Sequence, residues 1–234
     1  MPIEYPSMTP PKGLARAGEL LLPLDLALSA PRWLLSRRKE AVEPRTVLLL
    51  PGFGAGERSM ALVGRRLARA GHRVESWGLG RNTGNVPRLL EAVRERVVAL
   101  HEEAGEALVA VGWSLGGYLA REAARDLPHC FRKVVTMGSP VVGGPRFTGA
   151  ALWYQARGWD LDAIEAEVAA RFDTPLEVPV VAIYSKRDGI VAWQSCIDHW
   201  SPNVRHLRVS STHLGLGFSP RVLDLVADEV LLDE

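Results

Sequence analysis

The apolar run 107–111 leads without interruption into Gly112-Trp113-Ser114-Leu115-Gly116, and the residues that follow, as far as Arg125, have the periodicity of a helix. A strand, a very short turn and a helix are thus written into one continuous stretch. A turn that tight holds its central residue in a strained backbone conformation and drives the positions two before and two after it into the neighbouring strand and helix. Glycine at 112 and 116 removes the side chains that would collide. At the apex stands Ser114, with the Leu115 N–H and the positive end of the next helix's dipole pointing toward any negative charge that develops beside it. This is a position from which a serine hydroxyl can attack an acyl carbon. A glycine-rich loop with an incidental serine is the competing reading, and the rest of the chain decides between them.

From Thr46 onward, short β-branched or leucine-rich runs alternate with helical periodicity. That is the pattern of a parallel sheet covered on both faces. Strands are expected at 46–50, 73–77, 107–111, 133–136, 178–184 and 205–209, and helices at 58–70, 86–103, 115–125 and 220–231. The fold class expected is therefore α/β, a mostly parallel sheet with helices on both faces. The connection 139–177 is far longer than the usual few residues and carries Trp153, Tyr154 and Trp159 ahead of an amphipathic stretch, 161–172. It is expected to be a helical cap or lid, at about 141–177, with the three aromatics and Trp113 lining a substrate pocket. Ordinary core packing is the alternative role for those rings.

The 234 residues suffice for one α/β domain, expected over 46–234. Residues 1–45 are proline-punctuated, with an apolar segment broken at Pro23 and Pro31 and closed by Arg37-Arg38-Lys39. They are expected to form short helices packed on the domain. Contact with a membrane surface is the disfavoured alternative, because the two prolines interrupt a long interfacial helix. The 28 basic and 27 acidic residues nearly cancel and are dispersed, which argues against a nucleic-acid partner. Cys130 and Cys196 are too few for a disulfide framework or a cysteine-rich zinc site and are expected as buried thiols, which fits a reducing cytoplasm. The start Met-Pro-Ile-Glu-Tyr lacks a basic leader region, and no apolar span reaches about twenty residues, so neither export signal nor membrane span is expected.

A serine hydroxyl needs a base, and the base needs a third group to hold its tautomer. Of six histidines only His213 follows the last expected strand, in Ser210-Ser211-Thr212-His213-Leu214-Gly215, where parallel topology returns it to the sheet edge of Ser114. The others precede or begin strands or lie in or beside helices. For the acid, Tyr184-Ser185-Lys186-Arg187-Asp188-Gly189 places Asp188 just past a strand at the same edge. Asp-Gly is also a common turn pair, and Asp198 is the second candidate. The position after the preceding strand reads Gly138-Ser139-Pro140 and holds no carboxylate. For the oxyanion, Pro51-Gly52-Phe53-Gly54-Ala55-Gly56 brings backbone close to a substrate, so the N–H groups of Phe53 and Leu115 are the expected donors. Phosphate binding by this loop is disfavoured, since it matches neither GxxxxGK[ST] nor GxGxxG.

With Ser114, Asp188, His213 and Pro51-Gly52-Phe53 in this order, the chain resembles the α/β-hydrolase fold family over roughly 46–231. PGFGAG, Gly80-Arg81-Asn82, GWSLGG and Gly138-Ser139-Pro140 look like its lipase-like or esterase-like bacterial members. The resemblance implies hydrolysis of a carboxylic ester through an acyl-enzyme; no cofactor or metal is expected, and the expected partner is a small-molecule ester whose apolar acyl group meets the aromatics of the insertion. Serine rather than aspartate at position 114 argues against dehalogenase or epoxide hydrolase chemistry. Many relatives carry His-Gly where this chain has Pro51-Gly52; the backbone donor survives that change, but a histidine side-chain contact does not. Acyl transfer by the same serine and ligand binding without catalysis are the rival functions on such a scaffold.

Overall fold

Thr46–Leu50 form strand β1, and all five residues are buried. A strand so apolar on both sides belongs in the interior of a sheet covered on both faces. The structure, a computed structural model, describes residues 8–11, 13–21 and 43–232. After α1 (Leu14–Gly18) and β1 come α2 (Ala61–Arg69), β2 (Arg73–Ser76), α3 (Val86–Ala104), β3 (Leu108–Trp113), α4 (Leu115–Asp126) and β4 (Phe131–Met137). The chain continues through α5 (Ala151–Ala156), α6 (Leu161–Ala170), β5 (Val180–Ser185), β6 (Val204–Val209), α7 (His213–Leu216) and α8 (Pro220–Leu231). The six strands are all parallel, in the order β2-β1-β3-β4-β5-β6.

Alternate side chains of the strands feed two separate cores. Leu48, Leu50, Leu108, Ala110 and Val134 pack with Val93 and Val97 of α3 and with Leu119 and Ala123 of α4. Val47, Leu49, Val109, Val111, Val135 and Ile183 pack on the opposite face with Val63 and Leu67 of α2 and with Val222 and Val226 of α8. Because both faces are covered, the strands read as continuous apolar runs rather than as an apolar and polar alternation. Helix caps follow their chemistry: the Asn85 side chain accepts the Arg88 N–H at the start of α3, and Gly105 ends that helix in the left-handed region at φ 67°.

The expected strands and main helices are present, with shifted ends. β3 continues to Trp113, because Gly112 and Trp113 pair in register with Thr136 and Met137. β5 starts only after Pro179, which has no N–H to give a ladder, although its carbonyl accepts the Val134 N–H at 3.0 Å. The expected helix 58–70 opens as a 3-10 turn, Glu57–Met60, before becoming α-helical. Between β4 and β5 lie a 3-10 turn (Gly144–Phe147), α5, α6 and a second 3-10 turn (Arg171–Asp173). Residues 22–42, on which the surface-helix reading and its two prolines fall, lie outside the described residues. Among the described residues no helix is long and apolar enough to cross a membrane.

The strand order reverses between β1 and β3, one neighbour running outward to β2 and the other to β4. In open parallel sheets the crevice beyond the carboxyl ends of strands at such a switch is where ligands bind. The two loops that flank it here are 51–56 and the turn at Ser114.

Candidate active site

Ser114 has φ 55° and ψ −124°, the sole positive φ of a non-glycine residue among those described. The strain is held by packing on every side of the turn. A Cβ on Gly112 would overlap the Gly117 backbone, and one on Gly116 would overlap the carbonyl oxygens of Leu50 and Pro51. The Ser114 N–H is tied to the Met137 carbonyl at 2.8 Å, so β4 also fixes the apex. A residue of this size in this backbone region costs on the order of 1–3 kcal/mol, which persists only where the surroundings dictate it.

The loop after β1 lies across the serine: a Cβ on Gly52 would sit 3.2 Å from that of Ser114. Among the described residues no intramolecular acceptor takes the N–H of Phe53 or of Leu115. Both groups are left for another acceptor at the cavity. The loop is braced by Asn82, which is fully buried. Its Nδ2 donates to the Pro51 carbonyl at 2.9 Å and its Oδ1 accepts from the Gly84 N–H at 3.1 Å. Its own backbone exchanges hydrogen bonds with Gly54 and Ala55. Asn82 entered the sequence reading only as part of the family resemblance; a bracing role needs the fold to be seen.

Asp188 and His213 come together although they belong to different loops. His213 Nδ1 lies 2.6 Å from Asp188 Oδ2, and both side chains are buried. The other oxygen, Oδ1, accepts the N–H groups of Ile190 at 2.9 Å and Val191 at 2.7 Å. Asp188 is therefore both the turn residue and the partner of the histidine. Burial opposes a charge on His213, but the carboxylates of Asp188 and Glu19 and the hydrogen bond to Asp188 outweigh it, so its pKa is raised above the ordinary value. Gly138, at φ 60°, makes room for the pair, since a Cβ there would lie 3.1 Å from both Asp188 Oδ2 and His213 Nδ1. Asp198, the second candidate acid, is engaged elsewhere. It pairs with the buried Arg121 and accepts the N–H groups of Trp200 and Ser201.

Ser114 and His213 line one cavity of about 700 Å³, in the usual range for small-molecule sites. No direct hydrogen bond joins them in this geometry; such contacts are commonly loose before a substrate is seated. Trp153, Tyr154 and Trp159 line the same cavity. Trp153 meets Phe53 edge-on at 4.7 Å between centroids, and the Tyr154 hydroxyl donates to the Gly84 carbonyl at 2.8 Å. Burial pushes the Tyr154 phenol up to about 12, keeping it a donor. Trp113 also borders the cavity, but most of its ring is packed in the core against Phe218 and beside His213. The remaining predicted group, Leu115, sits at the cavity wall at the first turn of α4.

Glu19 is a further polar side chain at the site, and it had no signal in the sequence. It stands in the 3-10 turn Glu19–Leu21 after α1, and its carboxylate accepts N–H groups from Gly189, His213 and Leu214. Cys130 and Cys196 are both free and buried. Among the described residues no group of three or more His, Cys, Asp or Glu side chains is arranged to hold a metal ion.

A six-stranded parallel sheet with helices on both faces and a strained serine at the switch point defines an α/β hydrolase. The chain belongs to the alpha/beta hydrolase family, whose sequence model matches residues 47–232. It is 32% identical over 130 residues, 55% of this chain and 48% of the relative, to the pimeloyl-[acyl-carrier protein] methyl ester esterase of Sodalis glossinidius. With the enzyme of the same name from Edwardsiella ictaluri it shares 29% over 135 residues, 57% of this chain and 50% of that protein. The chain thus matches about half the length of these curated relatives. Among solved structures, a lipase-esterase related protein from Clostridium acetobutylicum superposes with a TM-score of 0.60 at 13% identity, over 82% of this chain and 96% of that one. One of the metagenome-derived lipolytic enzymes LipS and LipT does so with 0.60 at 19% identity, over 83% and 94%. At such identities the structural likeness speaks for the fold.

Proposed function

We propose that the protein is a serine esterase that cleaves carboxylic esters through an acyl-enzyme, with Ser114 as nucleophile, His213 as general base and acid, and Asp188 as the group that orients it. The observation that carries this reading is the 2.6 Å contact between His213 Nδ1 and Asp188 Oδ2 at the wall of the cavity that Ser114 enters. In the proposed cycle Ser114 Oγ attacks the acyl carbon while His213 Nε2 takes its proton. The negative charge on the substrate oxygen is met by the N–H groups of Phe53 and Leu115, and each such donor stabilises the transition state by about 3 kcal/mol. The imidazolium then protonates the departing alcohol, and a water activated by the same histidine releases the acid.

The substrate in this reading carries an apolar acyl group. The cavity wall includes Phe53, Trp153, Tyr154, Ile164 and Val168, of which the last four come from the α5 and α6 segment that serves as the cap in this reading. The two curated relatives are named for hydrolysis of a methyl ester on an acyl chain, which supports an ester as the bond cleaved. Lipase action on long-chain emulsified esters is a finer alternative within the same chemistry. The described part of residues 1–45 packs on the domain through Glu19, in keeping with a docked N-terminal extension.

A panel of p-nitrophenyl esters of graded chain length, monomeric and emulsified, tests this directly. Hydrolysis is expected, with a preference for one acyl length, and Ser114→Ala is expected to lower kcat by about 10⁴-fold or more with the fold retained. Full activity in that variant would remove the mechanism.

A further inference from the structure

Two loops must be held in register for His213 to work, one bearing Asp188 and the other His213 itself. One carboxylate from a distant part of the chain touches both. Glu19 Oε1 accepts the N–H of Gly189, next to Asp188, at 2.8 Å, and the N–H of His213 at 2.7 Å. Its Oε2 accepts the N–H of Leu214 at 2.9 Å. Both oxygens thus accept from backbone donors, and Glu19 is only 9% exposed.

The acid loop is shaped to receive this segment. A Cβ at Gly189 would overlap the Ala15 carbonyl of α1 and lie 2.9 Å from Glu19 Cγ. A buried carboxylate with three charge-assisted hydrogen bonds is a stiff connector, stronger than a neutral one by about a factor of two. Its charge also lies close to the imidazole. The charged groups that act on His213 are Asp188 from the loop after β5 and Glu19 from the turn after α1, and Arg16 of α1 lines the same cavity. Glu167 and Arg171 line the same cavity from the α6 side. Cys196, beside Asp188, is kept a neutral thiol, burial and that carboxylate both pushing its pKa up.

We propose that Glu19 is a positioning residue of the active site, which fixes the Asp188 and His213 loops relative to one another and supplies a second negative charge behind the imidazolium formed during turnover. This rests on the reading of Ser114, Asp188 and His213 as the catalytic set. The N-terminal segment is, on this account, a part of the catalytic machinery added from outside the sheet.

The sign of the effect follows from the charge. A carboxylate near His213 favours the protonated ring, so removing it lowers the pKa of the base. Activity requires the neutral ring, so the acid limb of kcat/KM moves to lower pH. Glu19→Gln keeps an acceptor for Gly189 and His213 but removes the charge and sets an amide NH2 against the Leu214 N–H. Its acid limb is expected at lower pH than that of the wild type, with kcat reduced on the order of 10-fold to 100-fold and KM within about twofold. Gly189→Ala pushes the segment away while leaving the carboxylate in the chain, and is expected to lower kcat similarly.

An unchanged pH profile and kcat in Glu19→Gln, with only the melting temperature lowered, would overturn the proposal and leave a purely structural staple. Labelling of Ser114 by a fluorophosphonate in the same samples separates the two layers. Wild-type labelling together with a wild-type profile in Glu19→Gln contradicts the role of Glu19 alone. No wild-type labelling at all contradicts the catalytic reading beneath it.

Discussion

The half of the site around Ser114, the proposed nucleophile, and the half around His213, the proposed base, are built in opposite ways. Around Ser114 the turn itself is local, the end of β3 running straight into the start of α4, and the end of β1 closes on it so tightly that glycine is required at 112 and 116. Around His213 it is long-range. The loop is held by Asp188, 25 positions away, and by Glu19, 194 positions away. The turn can be read from a short motif, because strand, serine and helix follow one another in sequence and the collision at Gly112 is with Gly117, although the one at Gly116 is with Leu50 and Pro51. A long-range brace such as Glu19 leaves almost no trace in sequence, since any glutamate near an N-terminal helix looks like a solvated one.

The comparison can be broken first at the base half. Asp188→Asn keeps the shape of the side chain but alters the tautomer it enforces on His213, and kcat is expected to fall by about 10³–10⁴-fold with little change in the melting temperature. A loss below about tenfold, measured on the preferred p-nitrophenyl ester, would mean that another group orients the histidine.

A smaller and different effect is expected at the nucleophile half. Gly116→Ala introduces a methyl group against the carbonyl oxygens of Leu50 and Pro51, which β1 cannot readily withdraw. Overpacking of this kind costs about 1–3 kcal/mol, so the urea midpoint should drop, and activity should drop with it as the apex shifts. An unchanged midpoint would show that the turn is less tightly dictated than the contacts imply.

Much of the frame was legible because parallel strands buried on both faces must be apolar throughout. The run 46–50 could be assigned without ambiguity for that reason, and its ends agree with the strand found. Ends set by a neighbour were less accessible: β3 extends to Trp113 only because β4 supplies partners for its last two residues. That Asp188 and His213 meet was legible from their positions after strands, since topology brings those positions to one edge. Asn82 and Glu19 escaped for a common reason. Each acts by hydrogen bonding to the backbone of a loop remote in sequence, and backbone acceptors and donors carry no side-chain identity to search for. The competing carboxylate, Asp198, shows the converse. Its proximity in sequence made it a candidate acid, but the buried Arg121 engages it, and that arginine lies 77 positions away.

The central claim is that Ser114 is a nucleophile activated by its surroundings rather than a serine in a tight turn. Incubation with a fluorophosphonate, followed by proteolysis and mass spectrometry, tests it most directly. The account predicts a single adduct on the peptide carrying Ser114, abolished in Ser114→Ala and strongly slowed in His213→Ala. An unmodified Ser114 in folded wild-type protein, or an adduct whose rate does not depend on His213, would contradict it.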